Sequence, residues 1–183
     1  MLSPSFPLPR RLTEFLETLP SVRARHSGRE LLDHLEGTYA ILANWESPPH
    51  VCHAGLFHSI YGTKAFPLVS LDESARALLR QLIGDQAEAL VYAFHLADWN
   101  VILRDPDFAK QLSRSSAGIF EIAIANLVEQ VPRLMRMGQD REAFLNAARM
   151  HRTLEPWLSD AAVRSLRELT DAPNVTNCMD AAG

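Results

Sequence analysis

The sequence predicts an all-α protein, a bundle of about eight helices joined by short links. Three observations predict it. Apolar residues recur at spacings of three and four through most of the chain. No stretch sustains the every-second-residue alternation of a half-buried strand. Breakers such as Pro20, "ESPPH", Gly62 and Pro106 punctuate the periodic segments at their ends.

The first helix starts near Leu12, with Leu12, Phe15, Leu16 and Leu19 on one face, and Pro20 ends it. "RARHSG" reads as a loop, and Ser27 or Gly28 is placed to cap the next helix. That second helix runs from about Arg29 to Trp45, with Leu31, Leu32, Leu35, Tyr39, Leu42 and Trp45 as its stripe. "ESPPH" breaks it, and a third helix covers about Val51 to Tyr61 and stops at Gly62. Asp72 opens a fourth, with Leu78, Leu79, Leu82 and Ile83 as the buried face. "QAEALVYAFHLADWNVIL" reads as one continuous fifth helix ending before Pro106. Ser115 or Ser116 begins a sixth, which Pro132 kinks or ends. Asp140 to Leu154 and Ser159 to Leu169 are the seventh and eighth. The reading is one helical domain over 1–183, with a motif-bearing core over about 25–105, further helices over about 115–170 and a frayed polar tail over 171–183.

Composition narrows the function. The chain has 183 residues, 47% hydrophobic and 22% charged, with a formal net charge of −4. That is an ordinary globular composition, and it offers no basic surface for a phosphate backbone, so no nucleic-acid partner is expected. No apolar run approaches the roughly eighteen residues of a membrane span, and prolines interrupt the N-terminus where a signal peptide would be continuous. Only Lys64 and Lys110 are lysines. Arginine suits bidentate anion contacts, but the bias equally reflects a GC-rich coding sequence. Cys52 and Cys178 form neither a zinc pattern nor a disulfide framework, so a reducing, cytoplasmic setting is expected. Asn174-Val175-Thr176 matches a glycosylation sequon that such a setting leaves unused. The expected partner is a small-molecule substrate; the oligomeric state is not legible.

Chemistry concentrates in the histidines, at 26, 34, 50, 53, 58, 95 and 151. His34 lies beside the buried stripe of the second helix, and His58 follows Leu56 and Phe57 in the third. If these helices form an antiparallel hairpin across "ESPPH", a rise of about 1.5 Å per residue brings the two imidazoles to comparable heights. Two imidazoles on facing helices are half of a metal site. Asp98, a carboxylate in the apolar run "FHLADWN", is the candidate third ligand, because a lone buried carboxylate needs a partner or a metal. Two histidines and one carboxylate leave positions open for water or substrate; manganese or iron fits that set, and zinc is an alternative. His95, three residues before Asp98, is the reserve ligand, with His26 next to it in rank. His53, His50 and His151 read as surface or solvated groups. Asn126 and Glu129 share a face of an apolar helix, which suggests a polar network around the same cavity or an exposed stripe. Cys52 reads as a small buried residue.

These motifs, in this order, resemble the HD-domain superfamily of all-α, metal-dependent phosphohydrolases. The branch acting on guanosine tetraphosphate has an Arg-x-Ser-Gly run before its first histidine; this chain has "RHSGRELLDHL", which matches His34 to that ligand. The family's Ala-Leu-Leu-His-Asp helix corresponds to "AGLFHS" and matches His58, and its distant aspartate corresponds to Asp98 in "LADWN". The likeness is nearest to uncharacterised small HD-related proteins carrying the "AGLFHSIYGT" signature. It implies a bundle of HD type, with a divalent metal on His34, His58 and Asp98. It further implies hydrolysis of a small anionic, phosphorylated substrate, with His26 or Tyr61 assisting and Arg25 steering the anion. The chain departs from the family at Ser59, which stands where the aspartate of the His-Asp pair is expected, and in "SIYGT", which lacks the downstream Glu-Asp pair. A serine hydroxyl does not replace a bridging carboxylate. Two other classes therefore stay open: an iron-dependent oxygenase on the same scaffold, and a non-catalytic binding or regulatory module.

Overall fold

The computed structural model describes residues 7–26, 29–138 and 140–171, without the side chains of His26 and Arg141. Ser27, Gly28, the sequon, Cys178 and nearly all of the expected frayed tail lie outside the described residues. The described chain is an all-α helical bundle. Its helices are α1 (Arg10–Glu17), α2 (Leu31–Asn44), α3 (Pro49–Phe57), α4 (Arg76–Ile83), α5 (Asp85–Leu96), α6 (Trp99–Ile102), α7 (Pro106–Ser115), α8 (Ile119–Arg136), α9 (Arg141–Met150) and α10 (Asp160–Asp171). Tighter 3-10 turns cover Pro20–Arg23, Glu73–Ala75 and His151–Trp157. Two short strands, β1 (Arg25–His26) and β2 (Arg29–Glu30), pair antiparallel just before α2. No helix among the described residues is long and apolar enough to cross a membrane.

The count of ten among the described residues exceeds the expected eight because local chemistry divides one segment and adds one helix. The expected fifth helix stops at Ala97, whose backbone turns extended, and Asp98 then caps α6 by accepting a hydrogen bond from the Asn100 amide. Helix α7 was not expected at all. Asp105 accepts from the amides of Asp107 and Phe108, and Pro106 sits in the first turn, where its missing N–H is no loss. The expected first half of the fourth helix is instead the Glu73–Ala75 turn, and Leu78 faces solvent while Leu79 and Ile83 are buried. Pro132 does not end α8, which continues to Arg136. Its last turns are held by a small apolar cluster of Val131, Ala148 and Leu169 that joins α8 to α9 and α10. The seventh expected helix gives way at His151 to a 3-10 turn containing Pro156.

One hydrophobic core runs from Leu12 in α1 to Leu154 after α9. Helix α2 packs on α3 and α8, and α3 also packs on α5 and α8, so α2, α3 and α8 meet pairwise. The closest approach is at Gly55 of α3. A Cβ there would stand 2.2 Å from Leu42 Cδ1 on α2. Gly55→Ala is therefore expected to destabilise the fold by about 1–3 kcal/mol, the usual effect of overpacking. Chemical denaturation measures it, and the same loss should shrink in a Leu42→Ala background, because neighbouring changes couple.

Candidate functional site

The meeting of α2, α3 and α8 buries a polar cluster. His34 is fully buried in α2, and His58, 3% exposed, follows the last residue of α3. Helix α8 contributes Asn126, Glu129 and Gln130, whose spacings of three and one place them on one face. Arg29 reaches the cluster from β2. The two imidazoles that the hairpin argument paired do come together. Their Nε2 atoms lie 3.3 Å apart, with the rings edge to face.

The other ring nitrogens fix the tautomers. His34 Nδ1 lies 2.5 Å from Glu129 Oε2, and His58 Nδ1 lies 2.8 Å from the Gly55 carbonyl oxygen. Both partners are acceptors, so each ring carries a proton on Nδ1 and donates it. When both rings are neutral, each then presents an Nε2 lone pair to the space they share. The Gln130 side-chain nitrogen, 3.3 Å from His34 Nε2, is consistent with that assignment because it is a donor, and it also donates to Asn126 Oδ1. Glu129 also accepts from Arg29. Burial pushes the Glu129 carboxyl up, but the His34 hydrogen bond and the Arg29 charge outweigh it and hold the group below its ordinary range.

A cleft of about 270 Å³ lies beside this cluster. Phe94 and Asn126 form part of its wall, the Phe94 ring packs 5.2 Å from the His58 ring, and Asn126 leads through Gln130 to His34. Thr63, Lys64, Asp98 and Trp99 also line it. A second, largely apolar cleft of about 310 Å³ shares Ala97 and Asp98 with the first and is bounded by the exposed side chains of Leu96, Val101 and Phe108.

The remaining expected residues lie as follows. Asp98 is not the lone buried carboxylate expected from the sequence: its side chain is 35% exposed. It receives a hydrogen bond from Lys64 and caps α6 beside the cleft rather than joining the two imidazoles. Its acidity is strengthened chiefly by that Lys64 contact. The Tyr61 hydroxyl donates to Glu88, 3.2 Å away, inside a separate buried cluster with Arg76 and Arg80. Burial and the adjacent Glu88 carboxylate push the Tyr61 phenol well above its ordinary range. Arg25 is exposed on β1, and the His26 side chain is outside the described residues. Ser59 is buried, and its hydroxyl has no hydrogen-bond partner among the described residues.

Three minor expectations are corrected. His95 does not share a helix face with Asp98, because α5 ends between them; its Nδ1 donates to the Gly62 carbonyl instead. His151 is not solvated: it is half-buried against Trp99, and burial lowers its basicity. His53 is half-buried and stacks on Tyr39.

Arg29 and Gln130 were missed by sequence reasoning. Arg29 sits in the motif run, but only its meeting with Glu129, a hundred positions away, gives it a role. Among the described residues, no group of three or more His, Cys, Asp or Glu side chains is arranged to hold a metal ion.

Residues 15–99 match the model of a family described as a domain of unknown function (DUF6817). The match covers His34, His58 and Asp98, and it ends before α8. No curated protein and no solved structure matches the chain.

Proposed function

We propose that the chain is a divergent HD-type metal-dependent hydrolase acting on a small anionic substrate of the phosphate-ester kind. The observation that carries this reading is the convergence of two buried imidazole Nε2 atoms whose Nδ1 protons are both committed elsewhere. Two nitrogens bound to one tetrahedral cation at about 2.0–2.1 Å lie about 3.3–3.4 Å apart, which agrees with the 3.3 Å separation here. The donor set fits a borderline divalent cation such as manganese, iron or zinc, with His34 and His58 holding it. The resemblance assigns the third position to Asp98, which in this structure is engaged by Lys64.

When bound, the metal supplies Lewis-acid stabilisation and a nucleophile at neutral pH. The chain supplies the rest. Glu129 and the Gly55 carbonyl keep protons on the outer nitrogens of the two rings. Phe94 and Trp99 shield the His58 side of the cleft from water, and Lys64 with Asn126 offers donors to an anionic group entering it. In this proposal Arg25 and His26 act from the hairpin, Arg25 steering the anion and His26 moving a proton, while Tyr61 stays with Glu88. Cys52 is a free, buried thiol whose acidity burial weakens, with a pKa of about 11, which fits a reducing compartment; we place the protein in the cytoplasm.

The test is phosphate release by protein loaded with manganese, zinc or iron, on a panel of aryl and nucleoside phosphates. Metal-dependent release that disappears in His58→Ala is expected. Oxygen consumption by the iron-loaded protein without any phosphate release would move the assignment to an oxygenase. Inactivity with every metal would leave a binding module.

A further inference from the structure

Glu129 stands on α8, beyond the matched segment, yet it has the closest contact to a site histidine of any carboxylate among the described residues. Its side chain is 9% exposed, and both its oxygens are used. Oε2 receives the His34 Nδ1 proton and Oε1 receives Arg29. Glu129 does not line the cleft, so it reaches a ligand there through His34.

The packing around this contact is specific. Gly37 lies three residues after His34 on α2. A Cβ on Gly37 would stand 3.0 Å from both Arg29 Nη2 and Glu129 Cγ. Glycine is unfavourable inside a helix, but here its missing side chain is what lets the guanidinium and the carboxylate close over α2. An ion pair that only tied β2 to α8 would have no need of the imidazole.

We infer that Glu129 is the positioning residue of the site: held by Arg29 over Gly37, it locks His34 in the Nδ1–H tautomer and orients its Nε2 toward the shared ligand position. The C-terminal half of the chain therefore completes a site whose histidines lie in the matched half. A carboxylate on the outer nitrogen of a metal-binding imidazole fixes the ring and raises its basicity as a ligand, and removing such a partner typically lowers metal affinity about 10–100-fold. The effect on metal affinity rests on the metal-binding reading above; the tautomer does not.

The experiment has two arms on the full chain. Long-range proton–nitrogen NMR of histidine-labelled, metal-free protein reads the tautomers, and a zinc titration reads affinity. In Glu129→Gln, an isosteric change, His34 should shift from a single Nδ1–H form to a mixture, His58 should keep its tautomer, and zinc affinity should fall about 10–100-fold. Gly37→Ala, which pushes on Glu129 without touching its charge, should weaken zinc binding in the same direction while the protein stays fully helical. An unchanged His34 tautomer together with undiminished zinc affinity in Glu129→Gln would overturn the inference and leave the metal reading standing. If the wild-type protein takes up no zinc, the metal reading fails, and the tautomer arm alone decides the role of Glu129: a shift supports it and no shift overturns it.

Discussion

His34→Ala and His58→Ala are each expected to lower affinity for a divalent cation by more than about 100-fold, beyond the range for loss of an outer partner. Each removes one of the two Nε2 donors that converge at 3.3 Å. The helical fold should persist, because the apolar core from Leu12 to Leu154 is retained in both variants. A stability loss of about 1–3 kcal/mol is expected, because His34→Ala leaves Glu129 without one of its donors and His58→Ala leaves the Gly55 carbonyl without its donor. Equilibrium metal titration with circular dichroism on the same samples separates the two effects. His50→Ala serves as the histidine control. His151 is unsuitable, because its ring packs on Trp99 in the wall of the cleft.

The second large effect lies away from that site. Glu88 is fully buried on α5 and accepts from Arg76, Arg80 and the Tyr61 hydroxyl. Glu88→Ala strands all three donors and should destabilise the protein by about 3 kcal/mol. That is the low end for a broken buried pair, because both guanidiniums still reach water. Denaturant midpoints measure it, and metal binding should be unchanged. The same group contributes to the acid limit of the fold. Burial pushes its carboxyl up, but hydrogen bonds from Arg76 and Arg80 outweigh this and hold it below the ordinary 4.5. Glu129 is depressed in the same sense. A depressed carboxylate contributes stability that is complete above its unfolded value and is lost as pH falls through the folded value. Unfolding free energy should therefore fall below about pH 4.5 through these carboxylates, after an earlier decline below about pH 6.5 from His53 and His151, whose basicity burial lowers. The fall below about pH 4.5 should be shallower in Glu88→Ala.

Much of this was legible in the sequence, for physical reasons that differ between elements. The 3.6-residue periodicity of α2 and α8 is strong because each buries a wide face, so their existence and the nearness of His34 to the core could be read directly. The pairing of His34 with His58 followed from the length of the two helices about their Pro-Pro turn. The shared face of Asn126 and Glu129 likewise pointed to a polar network, and the structure puts that network against His34. Helix α7 was missed because it is a largely exposed helix with one buried residue, Ala109; its signal was the Asp105-Pro106 cap. The break at Asp98 was missed because "LADWN" holds no glycine or proline, and aspartate stops a helix only by starting the next one. The Arg29–Glu129 contact could not be read at all, because nothing local distinguishes a paired surface-type residue from a solvated one when its partner lies a hundred positions away.

The most direct test of the account is a stoichiometric titration of chelator-treated, histidine-labelled protein with zinc, followed by NMR of the imidazole nitrogens. One zinc per chain is expected, with the Nε2 signals of His34 and His58 shifting together while their Nδ1 protons stay in place. Zinc-saturated protein in which those two Nε2 signals do not move, or a protein in which they exchange only a shared proton as pH changes, would contradict it.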